Sequence, residues 1–122
     1  MTNQMRLSQF GKELRKHRVE IGVRLNTLAK EIGVSSSFLS AVETGAKSPS
    51  IALVDLIGRA LELSDADVRT LHELAARDRK SVSVDLEHAD TDSRALATAF
   101  ARKFNSLSQE QIHRLFTELG DD

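Results

Sequence analysis

The sequence predicts an all-α chain, and three observations carry that prediction. Hydrophobic residues recur at spacings of three, four and seven along most of its length. The aromatic complement is five Phe with no Trp or Tyr, and there is a single Pro; a sandwich or barrel would draw on more aromatics and turn formers. Serines and glycines stand at the ends of the periodic segments, where helices are capped and stopped. The 122 residues leave room for one compact domain, or one small domain with an extension.

The first helix is expected from about Ser8 to Ile21, with Phe10, Leu14 and Ile21 on one side, Ser8 as N-cap and Gly22 as stop. Leu25, Leu28, Ala29 and Ile32 form a second, short amphipathic pattern ending at Gly33. After Gly33-Val34-Ser35 a third helix, Ser36 to Thr44, carries Phe38, Leu39 and Val42 inward and stops at Gly45. Two short helices joined by a three-residue turn containing Gly make a helix-turn-helix unit. Ser50 then caps a fourth helix with Ile51, Leu53, Val54, Ile57 and Leu61. Ser64 caps a fifth, running to about Arg79 with Val68, Leu71, Leu74 and Ala75 as its apolar stripe. The period changes to strict alternation over Ser81–Leu86, which suits one short extended segment, a strand or a connector. A polar loop, Glu87 to Asp92, leads to two more helices, Ser93 to Asn105 and Gln109 to Leu119, the second opened by the capping box Ser108-Gln-Glu-Gln111.

Composition excludes several classes of function. The absence of Cys removes disulfide frameworks, thiolate metal sites and Cys nucleophiles. The N-terminal Met-Thr-Asn-Gln-Met-Arg has no apolar leader and apolar runs are short, so the expected location is cytoplasmic, with no membrane partner. Asp85, Glu87, His88, Asp90 and Asp92 lack the Gly and acidic spacing of a calcium loop, and His72 and His113 have no paired ligand spacing; no metal or other cofactor is expected. With no phosphate-cradling Gly loop and no nucleophile elbow, nothing points to an enzyme. The net charge of −1 hides an asymmetry: residues 1–63 carry +3 and the remainder −4, so only the N-terminal part is suited to an anionic partner.

The outer face of the third helix consists of Ser36, Ser37, Ser40, Ala41 and Thr44. A slim face of hydroxyls and methyls can approach base edges in a major groove, although a solvated surface helix would show the same residues.

The strings Leu14-Arg-Lys-His-Arg18, Leu28-Ala-Lys-Glu-Ile-Gly-Val-Ser35, Phe38-Leu-Ser-Ala-Val-Glu-Thr-Gly45 and Pro49-Ser50, followed by Leu61, fall in register over residues 8–63. In them the chain resembles the Xre family of helix-turn-helix regulators, the class of Cro and the phage repressors. The resemblance implies a five-helix N-terminal domain followed by a helical extension, divided as residues 1–63 and 64–122. It implies sequence-specific binding of double-stranded DNA by a transcriptional regulator, more often a repressor, with the third helix in the major groove. Lys47 then meets a phosphate just beyond that helix, and Arg24 and Asn26 lie where the second helix crosses the backbone. Arg18 and Glu43 match family positions that form an ion pair tying the first helix to the third.

Two positions depart from the pattern. Arg24 stands where the family has Ser or Thr, and the third helix has no Lys, Arg, Asn or Gln for bidentate base contacts. Specificity is then expected from hydroxyls, the Ala41 methyl and DNA shape. In the extension, Phe100, Phe104, Ile112, Leu115, Phe116 and Leu119 form apolar stripes on helices too short to be stable alone, which points to a homodimer on an inverted-repeat operator. The alternative is an Xre-type antitoxin or adaptor whose extension binds a protein partner.

Overall fold

A computed structural model describes residues 6–120. The leaderless reading of the N-terminus rests mainly on residues 1–5, which lie outside that range. Seven α-helices follow in order: α1 Gln9–Ile21, α2 Leu25–Ile32, α3 Ser36–Thr44, α4 Ile51–Ala60, α5 Asp65–Ala76, α6 Thr91–Lys103 and α7 Gln109–Leu119, with one 3₁₀ turn at Phe104–Ser106. The fold is all-α, as the sequence predicts.

Local chemistry accounts for the helix ends. Ser8, Ser35, Ser50, Ser64 and Ser108 each accept a backbone N–H of the first turn on their side-chain oxygen, satisfying a donor that the helix itself leaves open. Ser108 and Gln111 close the expected capping box in both directions. Gly22, Gly33 and Gly45 end α1, α2 and α3 in the left-handed conformation, with φ of 86°, 81° and 89°.

The chain divides into two compact units, one ending at Ser81 and the other beginning at Val82. In the first unit α1 packs on α3 and α5, α2 on α3 and α4, and α4 on α5. Phe10, Leu14, Leu28, Leu39, Val42, Val54, Ile57 and Leu71 are the large side chains of its core, and Phe38 packs against its edge. The sequence reading set the domain boundary after Leu63. By contact, α5 belongs with the helices before it: Leu71 and Ala75 are buried, and the His72 Nε2 lies 2.8 Å from the Asp55 Oδ1 on α4. Gly58 permits this approach, because a Cβ there would stand 2.7 Å from Val68 Cγ2.

Two helix boundaries are corrected, and one open alternative is decided. Of the two readings for residues 81–86, strand or connector, the structure has the connector: among the described residues nothing ladders with them, and a lone strand would leave its backbone groups unpaired. The alternation there leaves Val82 and Val84 exposed. α5 stops at Ala76, short of Arg79. α6 begins at Thr91, earlier than Ser93, because the Asp90 carboxylate accepts the Ser93 N–H at 2.7 Å and caps the helix; that bond lowers the Asp90 pKa from its ordinary 3.8. The acidic loop is therefore occupied with local bonds, since Asp85 likewise accepts the Glu87 N–H.

In the second unit α6 and α7 bury no residue among those described. Leu96, Phe100, Phe104, Leu115, Phe116 and Leu119 are all exposed, although Phe100 and Phe104 meet edge to face at 5.4 Å.

α4 ends without a glycine. Glu62 instead takes φ of 51°, a left-handed conformation that crowds a Cβ against the backbone. Its side chain is exposed. Glu62→Gly is expected to raise stability by about 1 kcal/mol, read as an increased midpoint in urea or thermal unfolding.

Candidate nucleic-acid interface

The placement of α3 is fixed from α1. Arg18 Nε donates to Glu43 Oε2 at 2.9 Å and Nη2 to Oε1 at 3.2 Å, a bidentate pair whose side chains are 10% and 7% exposed. Arg18 Nη1 also donates to the Val23 carbonyl at 3.1 Å, so the same guanidinium holds the α1–α2 connection. The backbone of Glu43 is gripped as well. Its carbonyl accepts the Ser8 N–H at 2.9 Å and the Ser8 hydroxyl at 3.3 Å. Gly11 lies against that carbonyl so closely that any Cβ would overlap it. The ion pair expected between Arg18 and Glu43 is thus present, and it is one part of a larger seam.

His17, beside Arg18, is also buried. Its Nε2 lies 3.2 Å from Glu13 Oε2, within ion-pair distance but without the alignment of a hydrogen bond.

The predicted contact residues fall into two groups at opposite ends of α3. At its start an open groove of ≈ 560 Å³ is lined by Asn26, Thr27, Lys30, Val34 and Ser36. Asn26 and Ser36 are brought together there. Thr27 and Lys30 join them, and sequence reasoning missed both; the signal was available, because Lys30 follows Asn26 by four residues and shares its helix face. Arg24 occupies the N-cap position of α2 and is exposed, and no side-chain bond caps that helix. The first amides of α2 are open to an external acceptor.

Ser36 and Ser37 are exposed, whereas Ser40, Ala41 and Thr44 are half-buried. The outer face of α3 is therefore partly sunk toward its C-terminal end. There the Ala41 carbonyl accepts both the Thr44 hydroxyl, at 3.2 Å, and the Lys47 N–H, at 3.1 Å. Thr44 has committed its proton and can only accept from a ligand. The Lys47 amide is folded back over the helix end, which brings Ala41, Thr44 and Lys47 together, with the Lys47 side chain exposed. Among the described residues Arg24, Lys30 and Lys47 form no salt bridge. Their charge is free to act outward.

The family model described as "Helix-turn-helix domain" matches residues 9–71. Over 48 residues the chain is 42% identical to a protein of Methanothermobacter thermautotrophicus (strain Delta H) named "Uncharacterized HTH-type transcriptional regulator", covering 39% of this chain and 70% of that one. Among solved structures, a chain of the "SINR PROTEIN/SINI PROTEIN COMPLEX" is similar with a TM-score of 0.46 and 26% identity, over 92% of this chain and 95% of that one. Among the described residues no helix is long and apolar enough to cross a membrane.

Removing one partner of the Arg18–Glu43 pair leaves a buried charge unpaired. Glu43→Ala is expected to cost about 3–5 kcal/mol of stability, whereas Ser37→Ala leaves the unfolding midpoint almost unchanged. Paired urea titrations with the wild type measure both.

Proposed function

The chain belongs to the helix-turn-helix domain family and is a DNA-binding transcriptional regulator; we propose that it works as a repressor, binding an inverted-repeat operator as a homodimer. The observation that carries the reading is the α2–α3 pair itself: a slim, lysine-free α3, locked to α1 and flanked by unpaired cations. α3 enters the major groove. Ser36, Ser37 and Ser40 offer hydroxyls to base edges, Ala41 offers a methyl to thymine, and Thr44 accepts. Arg24, Asn26 and Lys47 hold the phosphate backbone on either side of the groove. Because the face carries none of the long side chains that make bidentate base contacts, one head has modest affinity, and sequence-dependent DNA shape contributes to the choice of site.

The second unit supplies the remedy. Its exposed Phe and Leu side chains need cover, and a second copy presents a self-complementary surface under two-fold symmetry. Such a dimer sets two α3 helices about 34 Å apart on one face of the duplex. The antitoxin or adaptor reading gives the same surface to a foreign helical protein, and the oligomeric state separates the two.

Selection from random duplexes should return an inverted repeat. Affinity for it should fall steeply between low and moderate salt, and Lys47→Ala should weaken all sequences alike and reduce the salt slope by about 1. A salt-independent affinity would exclude the phosphate contacts. In sedimentation at tens of micromolar the full chain should be a dimer and a chain ending at Ser81 a monomer. A monomeric full chain would favour the adaptor.

A further inference from the structure

The loop between α3 and α4, Gly45 to Ser50, carries Lys47 and must hold its shape if that cation is to meet a phosphate. It is pinned at its start by the Lys47 N–H on the Ala41 carbonyl, and farther on Pro49 is buried. Proline has no N–H, so at Pro49 the backbone offers only its carbonyl. That carbonyl accepts from Arg79 Nη2 at 3.0 Å, across 30 residues of chain. Arg79 lies beyond the end of α5, in the short stretch before the first unit stops at Ser81. Around the bond the loop and the stretch that follows α5 leave a cleft of ≈ 330 Å³, bordered by Ser48, Ser50, Asp78 and Lys80. Among the described residues, no other hydrogen bond joins the two sides of the cleft.

We infer that Arg79 is a positioning residue for DNA binding, holding the Pro49 carbonyl so that the α3–α4 loop presents Lys47 to the phosphate backbone. The inference rests on the DNA-binding reading above and adds to it a residue outside the shared motif, since the family match ends at residue 71. Arg suits the task because its head carries five donors and keeps its charge at any working pH. Here the guanidinium donates to the neutral Pro49 carbonyl, a charge-assisted bond.

A double-mutant cycle between Arg79→Ala and Lys47→Ala on the selected duplex tests the role. Losing one charged hydrogen bond that orders the loop is expected to lower affinity by about two- to tenfold. In the Lys47→Ala background, Arg79→Ala should then have almost no further effect, because the residue that it positions is gone. Amide exchange at Lys47 in the free protein should quicken in Arg79→Ala by a comparable factor, while the global unfolding midpoint stays put. Losses that multiply in the double variant would show that Arg79 touches DNA itself and would overturn the inference. An unchanged affinity of Arg79→Ala would overturn it too. If Arg79→Ala proves unstable, Arg79→Lys, with a single donor group of different reach, takes its place in the same cycle. A wild-type protein that holds no duplex fails the DNA-binding reading itself, whereas wild-type binding with an indifferent Arg79 fails the positioning role alone.

Discussion

The grip of α1 on Glu43 is the constraint on which the rest of the first unit depends. One residue is held twice: its carboxylate by the forked guanidinium of Arg18, and its carbonyl by the backbone and hydroxyl of Ser8. Gly11 closes the seam by allowing helix to meet helix without an intervening side chain. A charge pair this deep is weak evidence of stability, since desolvation offsets most of its attraction, but it is intolerant of other geometries. A packed apolar seam tolerates sliding by fractions of an ångström; a bidentate bond at 2.9 Å and 3.2 Å does not. The consequence is an α3 whose rotation and tilt relative to α1 are fixed before any ligand arrives.

That rigidity matters because α3 is chemically sparse. Short hydroxyls reach only what the backbone brings within hydrogen-bond distance, so the helix axis has to be set correctly, whereas a long Arg or Gln could compensate for a misplaced axis by changing rotamer. The cations were placed elsewhere: Lys30 beside the groove at the start of α3, Lys47 beyond its end, and Arg24 at the head of α2. Such a division separates holding from reading. In the proposed reading the flanks supply sequence-independent attraction and the small face lies close to the bases.

Much of this was legible in the chain because its signals are local. Ser8, Ser50, Ser64 and Ser108 announce their helices by sitting just ahead of the first turn, and Gly22, Gly33 and Gly45 end theirs for want of a Cβ. What escaped was mostly a contact with no clear sequence signature. α6 begins two residues ahead of Ser93 because Asp90, the next-to-last acid of a polar stretch, caps it by accepting the Ser93 N–H. Alternation over residues 81–86 satisfied the pattern of a strand but not its requirement for a partner. Lys30 was readable from its four-residue spacing to Asn26, but the bond from Arg79 to Pro49 joins residues too far apart for any periodicity to register. The fold-back of the Lys47 amide onto the Ala41 carbonyl, beside half-buried Ala41 and Thr44, is likewise a contact that spacing alone does not encode.

The two units differ in what keeps them ordered. The first closes a core of its own, with Leu14, Leu28, Leu39 and Ile57 fully out of solvent. The second holds helices of 13 and 11 residues with good caps at both N-termini and no buried side chain among those described. Helices of that length are marginal in water, and caps and a single aromatic pair add too little to hold them. In the homodimer proposed above their order comes from association, which makes it dependent on concentration in a way that the first unit is not. If the cover is a second copy, each dimer brings two sparse α3 helices to the duplex at once, and the second head binds at an effective concentration set by the connector. Weak readout by a single head then becomes an advantage: occupancy of an operator responds steeply to the amount of protein, because assembly of the second unit and engagement of the first are linked steps of one equilibrium.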